Sequence, residues 1–160
     1  MEASTVSRTD VQLLDREFSS LIEGLRSLTN ALTPESLYRE VGSLSVGLNI
    51  LKCAGVLEQA FGGLTTNLWD DPFEWTLPET LSTPELVLEY LAEVDRTKVR
   101  AFSSLVEDST LNKVIALPSG ESCSLFEFMI TTLQRASVLY GEANATLKIL
   151  SGVSGSGFII

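Results

Sequence analysis

VQLLDREFSSLIEGLRSLTNAL, residues 11–32, carries Val11, Leu14, Phe18, Leu21, Leu25, Leu28 and Leu32 at alternating steps of three and four. That spacing lays seven apolar side chains along one stripe of an α-helix running from about Thr9 to Leu32, with charged and polar residues on the other side. A helix with one such stripe needs partner helices with stripes of their own to cover it. Thr33-Pro34-Glu35 restarts the chain, because Thr accepts from the exposed amides of a first turn and Pro fits the first helical position. A short helix from Pro34 to about Glu40 is expected there. After Gly42, the run from Ser43 to Phe61 reads as a second long helix rich in Leu, Val, Ile and Ala, stopped by Gly62-Gly63.

From Leu64 to Leu81 the periodicity dissolves into a connection holding Trp69, Phe73 and Trp75 among Asn, Asp and Pro, too aromatic for a solvated linker. Ser82-Thr83-Pro84-Glu85 opens a third helix: Ser82 and Glu85 have the spacing of a capping box, and Pro84 lies in the first turn under either choice of cap. Its apolar set is Val87, Tyr90, Leu91, Val94, Ala101 and Leu105, reaching about Val106. A second long connection, Glu107 to Glu121, contains a short extended piece at Lys113 to Leu117. The fourth helix runs from about Cys123 to Leu150 with Leu125, Met129, Leu133, Ala136, Tyr140, Ala143 and Leu147 on one face. Four amphipathic helices without an internal repeat imply an all-α four-helix bundle over residues 1–150, with long connections between helices 2 and 3 and between 3 and 4. Residues 151–160 read as a flexible tail ending in Phe158-Ile159-Ile160, which docks on the body or on a partner.

Composition narrows the function classes. In 160 residues there are 21 acidic and 11 basic side chains, a formal charge of -10. Nucleic-acid affinity rests on Lys and Arg, so a nucleic-acid partner is not expected. No window approaches the roughly 20 apolar residues of a membrane span, and the polar stretch Met1 to Asp10 has no signal-peptide pattern. A cytoplasmic protein is the expectation. Cys53 and Cys123 lie far apart, beside apolar stretches, and read as free thiols in a reducing compartment.

The chain has no histidine. That removes Ser-His-Asp and Cys-His catalysis and every histidine-based metal site. No phosphate loop and no dinucleotide fingerprint is present, and Gly152, Gly155 and Gly157 precede no helix. Carboxylate chemistry remains open through Glu58, Glu127 or Glu142, each of which also reads as a solvated helix-face residue.

The order of segments and two motifs resemble the DinB-like family from the first helix to about Leu150. The family's second helix carries Ser-Ile-Gly, apolar residues and then a His. Here Ser45-Val46-Gly47-Leu48-Asn49-Ile50-Leu51 leads to Lys52, with Glu58 a loose match to the acidic residue that follows. The family's fourth helix reads His-x-x-x-His-x-Gly-Gln, and here the stretch is Arg135-Ala136-Ser137-Val138-Leu139-Tyr140-Gly141-Glu142. Pro72-Phe73-Glu74-Trp75 is similar to the family's connection between the second and third helices.

What the resemblance implies is a DinB-like topology and a homodimer. Ordinary members place three His around one divalent metal, and some activate mycothiol or bacillithiol with it. In this chain Lys52, Arg135 and Leu139 stand at those positions, and none of them offers a lone pair at neutral pH. The resemblance therefore implies a member with no metal and no cofactor, and no catalytic residue is assigned. Lys52 and Arg135 in one concave site would hold a small anionic ligand, with Glu58, Tyr140 and Glu142 as neighbours. Equally, Lys52 lies on a polar strip with Ser45, Asn49 and Gln59, and both cations would be solvated or paired with Glu58 or Glu142. The leading expectation is a non-enzymatic bundle that binds a small anion or a partner protein. The alternatives are an S-transferase-like enzyme using the two cations to lower a thiol pKa, and a purely structural, self-associating bundle.

Overall fold

The computed structural model describes residues 6–70, 72 and 76–152. Phe73-Glu74-Trp75 of the connection, and Phe158-Ile159-Ile160 with the rest of the tail from residue 153, lie outside the described residues. The elements are α1 (Thr9–Asn30), α2 (Pro34–Leu37), α3 (Val46–Thr66), α4 (Pro84–Ser103), a 3-10 turn (Asp108–Asn112), β1 (Val114–Ala116), β2 (Ser122–Ser124) and α5 (Leu125–Leu150). The four long helices pack in a ring: α1 against α4 and α5, and α3 against α4 and α5, with α1 and α3 on the diagonal. No helix among the described residues is long and apolar enough to cross a membrane.

The stripes read from the sequence are the faces that turn inward. All seven positions of the first stripe are buried, the six on α1 and Leu32 just past its end, and so are Val87, Tyr90, Leu91, Val94, Ala101 and Leu105. On α5, Leu125, Met129, Ala136 and Ala143 are buried, while Leu133, Tyr140 and Leu147 pack against them half-exposed. At the centre, Phe18, Phe61 and Phe102 meet edge-on or tilted, with ring centroids 5.1 to 6.0 Å apart.

Caps set where the helices start. Thr33, Ser45, Thr83 and Ser124 each accept a hydrogen bond from the amide three residues on. The cap of α4 is thus Thr83, with Pro84 at the first position, rather than Ser82. Ser124 likewise moves the start of α5 past Cys123, which belongs to β2 and pairs with Ile115. The extended piece after Lys113 is half of an antiparallel hairpin, turning at Gly120 with φ +87°. This hairpin holds the only two strands among the described residues; an isolated antiparallel bridge between Val41 and Leu44 precedes α3.

The second helix does not stop at Gly62-Gly63. α3 continues to Thr66 and ends at Asn67, whose φ of 56° and amide bond to the Gly63 carbonyl make it the left-handed cap. Gly63 instead provides a seat. A Cβ there would lie 2.2 Å from the Trp69 ring, so the indole packs directly on the helix backbone. Gly47 serves a similar end near the start of α3, where a Cβ would come within 2.4 Å of the Leu37 carbonyl oxygen.

Lys98 lies on the inward side of α4 between Val94 and Ala101 and is 4% exposed. Its ammonium reaches Asp15 at 2.9 Å and also donates to Ser19, while Asp95 lies 3.8 Å away. A buried ammonium persists only where it is paired and hydrogen-bonded, and this one ties α4 to α1.

Candidate functional site

After its left-handed turn at Asn67 the chain crosses the outer side of α3, and two clefts open on either side of the crossing. Leu68, Asp70 and Pro72 line the first; Trp69 lines the second. Alternate residues thus face opposite clefts. Gln59 borders both, and its amide donates to the Trp69 carbonyl at 3.0 Å, fixing the segment to α3. The indole N–H donates to Asn67 at 3.1 Å, and the ring meets Phe128 of α5 nearly at right angles, centroids 5.6 Å apart.

The second cleft, of about 210 Å³, lies between α3, the hairpin and α5. Trp69 and Phe128 supply aromatic surface, Ser119 and Thr132 supply hydroxyls, and Arg135 supplies the charge. Arg135 is exposed, and no carboxylate pairs with it among the described residues. The first cleft, of about 220 Å³, lies between α3 and α4, and Glu58, Asp70, Thr97 and Arg100 are among the residues that line it. Glu58 accepts from the Tyr90 hydroxyl at 2.6 Å. Burial pushes its carboxyl above the usual glutamate range; the Tyr90 bond opposes the shift and Glu93 adds to it.

The six side chains singled out from the sequence do not form one site. Arg135 lines the second cleft and Glu58 the first. Lys52 is exposed and borders neither, so the two cations do not share a pocket. The polar strip expected around Lys52 is not a solvent-facing strip either, since Ser45 and Asn49 are buried and the Asn49 amide nitrogen finds no acceptor among the described residues. Leu139 is half-buried against the core, and Tyr140 packs its ring over Gly24 of α1. Glu142 is exposed, its carbonyl accepting from Thr146. Trp69, Phe128, Tyr90 and Arg100 were absent from the sequence reading as site residues. The available signal was the aromatic connection beside Gly62-Gly63, where a glycine inside a helix marks a close approach.

The metal that the DinB-like resemblance implies finds no ligand set among the described residues. Lys52, Arg135 and Leu139 offer it no lone pair, and no three Cys, Asp or Glu side chains converge on a point among the described residues. Neither thiol is activated. Cys53 is buried, donates to the Ala136 carbonyl at 3.2 Å and has its pKa pushed to about 12 by burial. Burial and then Glu127 and Glu121 raise that of Cys123. Both shifts favour the thiol over the nucleophilic thiolate.

Glu58 makes a testable contribution to pH dependence. Its carboxyl holds a proton in the folded protein at pH values where the unfolded chain, near the ordinary value of about 4.3, has lost it. Stability therefore falls as pH rises through that window. Glu58→Gln keeps an acceptor for Tyr90 without the charge. It is expected to melt above the parent at pH 8, the difference shrinking as pH is lowered to 4; a constant difference across that range would contradict the assignment.

No family model, curated protein or solved structure matches this chain.

Proposed function

We propose that this chain is a binding protein, a DinB-like bundle without the family's metal, that holds a small organic anion with an aromatic or apolar body in the cleft at Arg135. The observation carrying this reading is the Arg135 guanidinium, unpaired among the described residues, in the cleft that the Trp69–Phe128 pair lines. A guanidinium offers a planar fork of donors that matches a carboxylate or phosphate, and the ring edges and faces take up the apolar part. The net charge of -10 repels anions at a distance. That repulsion is screened beyond about 8 Å at physiological ionic strength, whereas contact with Arg135 is not. Absence of histidine and two unactivated thiols favour binding over catalysis.

Calorimetric titration with benzoate, phenylacetate and phenyl phosphate tests the reading. At least one is expected to bind saturably, and Arg135→Ala to weaken it tenfold or more, about 1.4 kcal/mol. Lys52→Ala should leave the affinity unchanged. No binding by the parent, or equal binding by Arg135→Ala, overturns the proposal.

A further inference from the structure

The first cleft contains a charge arrangement that the anion-binding reading does not use. Glu58, half-buried, accepts one hydrogen bond from Tyr90, and no cation pairs with it among the described residues. Arg100 lines the same cleft and, among the described residues, its side chain makes one long hydrogen bond, to Thr97 at 3.4 Å, and has no carboxylate in ion-pair contact. The two opposite charges therefore line one small cleft without meeting: no nitrogen–oxygen pair between them comes within 4 Å, although Arg26 with Asp95 and Lys98 with Asp15 do pair between α1 and α4. A half-buried carboxylate without a counter-charge is costly, and an incoming ammonium removes that cost. Asp70, on the crossing segment, adds a second carboxyl group to the lining of the cleft.

We propose that this cleft binds a small zwitterion of the α-amino-acid type, its ammonium on Glu58, with Asp70 beside it, and its carboxylate on Arg100. A lone anion would be repelled by two carboxylates, and a lone amine would leave Arg100 unsatisfied, so a dipolar ligand answers both. The volume of about 220 Å³ lies below the ~300 Å³ at which ordinary small-molecule pockets begin. The occupant is therefore a free amino acid or a similar metabolite, not a nucleotide or an extended peptide. The threonines that line it, Thr65, Thr66 and Thr97, favour a polar or small side chain. The inference is independent of Arg135, which lies in the other cleft.

The test is calorimetric titration of the full chain with the twenty free L-amino acids, their methyl esters and their N-acetyl derivatives. The ester keeps only the ammonium and the N-acetyl form only the carboxylate. At least one free amino acid is expected to bind, with each blocked form at least tenfold weaker. Glu58→Gln and Arg100→Gln are each expected to weaken it tenfold or more, and Arg135→Ala to leave it unchanged. Thermal melts establish that the variants fold, and Arg100→Gln, at the protein surface, serves if Glu58→Gln does not. Absence of binding by every free amino acid overturns the proposal, as does an ester or N-acetyl form binding equally well. Loss of binding in Arg135→Ala alone would also overturn it by assigning the ligand to the other cleft.

Discussion

Replacing Phe61 by alanine is expected to remove about 3–5 kcal/mol of unfolding free energy. Phe61 has no exposed surface and lies between Phe18 of α1 and Phe102 of α4, at 5.1 and 6.0 Å between centroids. Its removal costs the transfer free energy of the ring, the ring–ring contacts and a cavity at the meeting point of three helices, where close packing limits collapse. A domain of this size is commonly stable by about 5–15 kcal/mol, so this single change takes a large share. Urea titration followed by circular dichroism reads it as a lower midpoint at unchanged slope. Leu13→Ala, on the same α1 that carries Phe18 but 45% exposed, is the control, and surface changes of that kind usually stay within about 0.5 kcal/mol. Similar losses for both would mean that the core does not centre on the three rings.

The second large effect is expected at Gly63. Alanine there would put its Cβ at 2.2 to 2.4 Å from three atoms of the Trp69 ring, a separation no real contact sustains. Overpacking of this kind costs about 1–3 kcal/mol, against about 1 kcal/mol gained from replacing glycine inside a helix. The net change in stability is therefore modest, and the ring moves. When it moves, the second cleft loses its aromatic wall and Gln59 loses its geometry with the Trp69 carbonyl. In a Trp75→Phe background, leaving Trp69 as the sole indole, Gly63→Ala is expected to shift the emission maximum and to weaken aromatic-anion binding at least tenfold. An unchanged spectrum would show that the indole is not seated on α3.

The fold class was legible because helical amphipathicity is local. Val11 to Leu32 states its period within one segment, and the buried set of α1 follows from that period alone. The same holds for the inward faces of α4 and α5 and for Ser and Thr caps that bond amides three residues away. Where sequence signals competed, packing decided. Gly62-Gly63 reads as a stop by propensity, yet the helix continues to Thr66 because the Trp69 ring fills the space that a side chain would occupy. Lys98 stands on an apolar face and is nonetheless inside, because Asp15 and Ser19 meet it from α1.

Lys52 and Arg135 carry the charge pattern of a site, and the sequence indicated that much along with the absence of histidine. Which charges meet depends on helix rotation and on the path of the chain after Thr66. Those are set by contacts such as Tyr90 with Glu58, Cys53 with Ala136, and Trp69 with both Gly63 and Phe128. Sequence by itself determined the helices, their buried faces and the absence of histidine chemistry, since each is a property of composition or of neighbours a few residues apart. Only the tertiary structure decided that Arg135 faces an aromatic cleft, that Lys52 does not join it, and that Glu58 and Arg100 share the other. Those pairings join residues distant in the chain, and no local period encodes the rotation that brings them together.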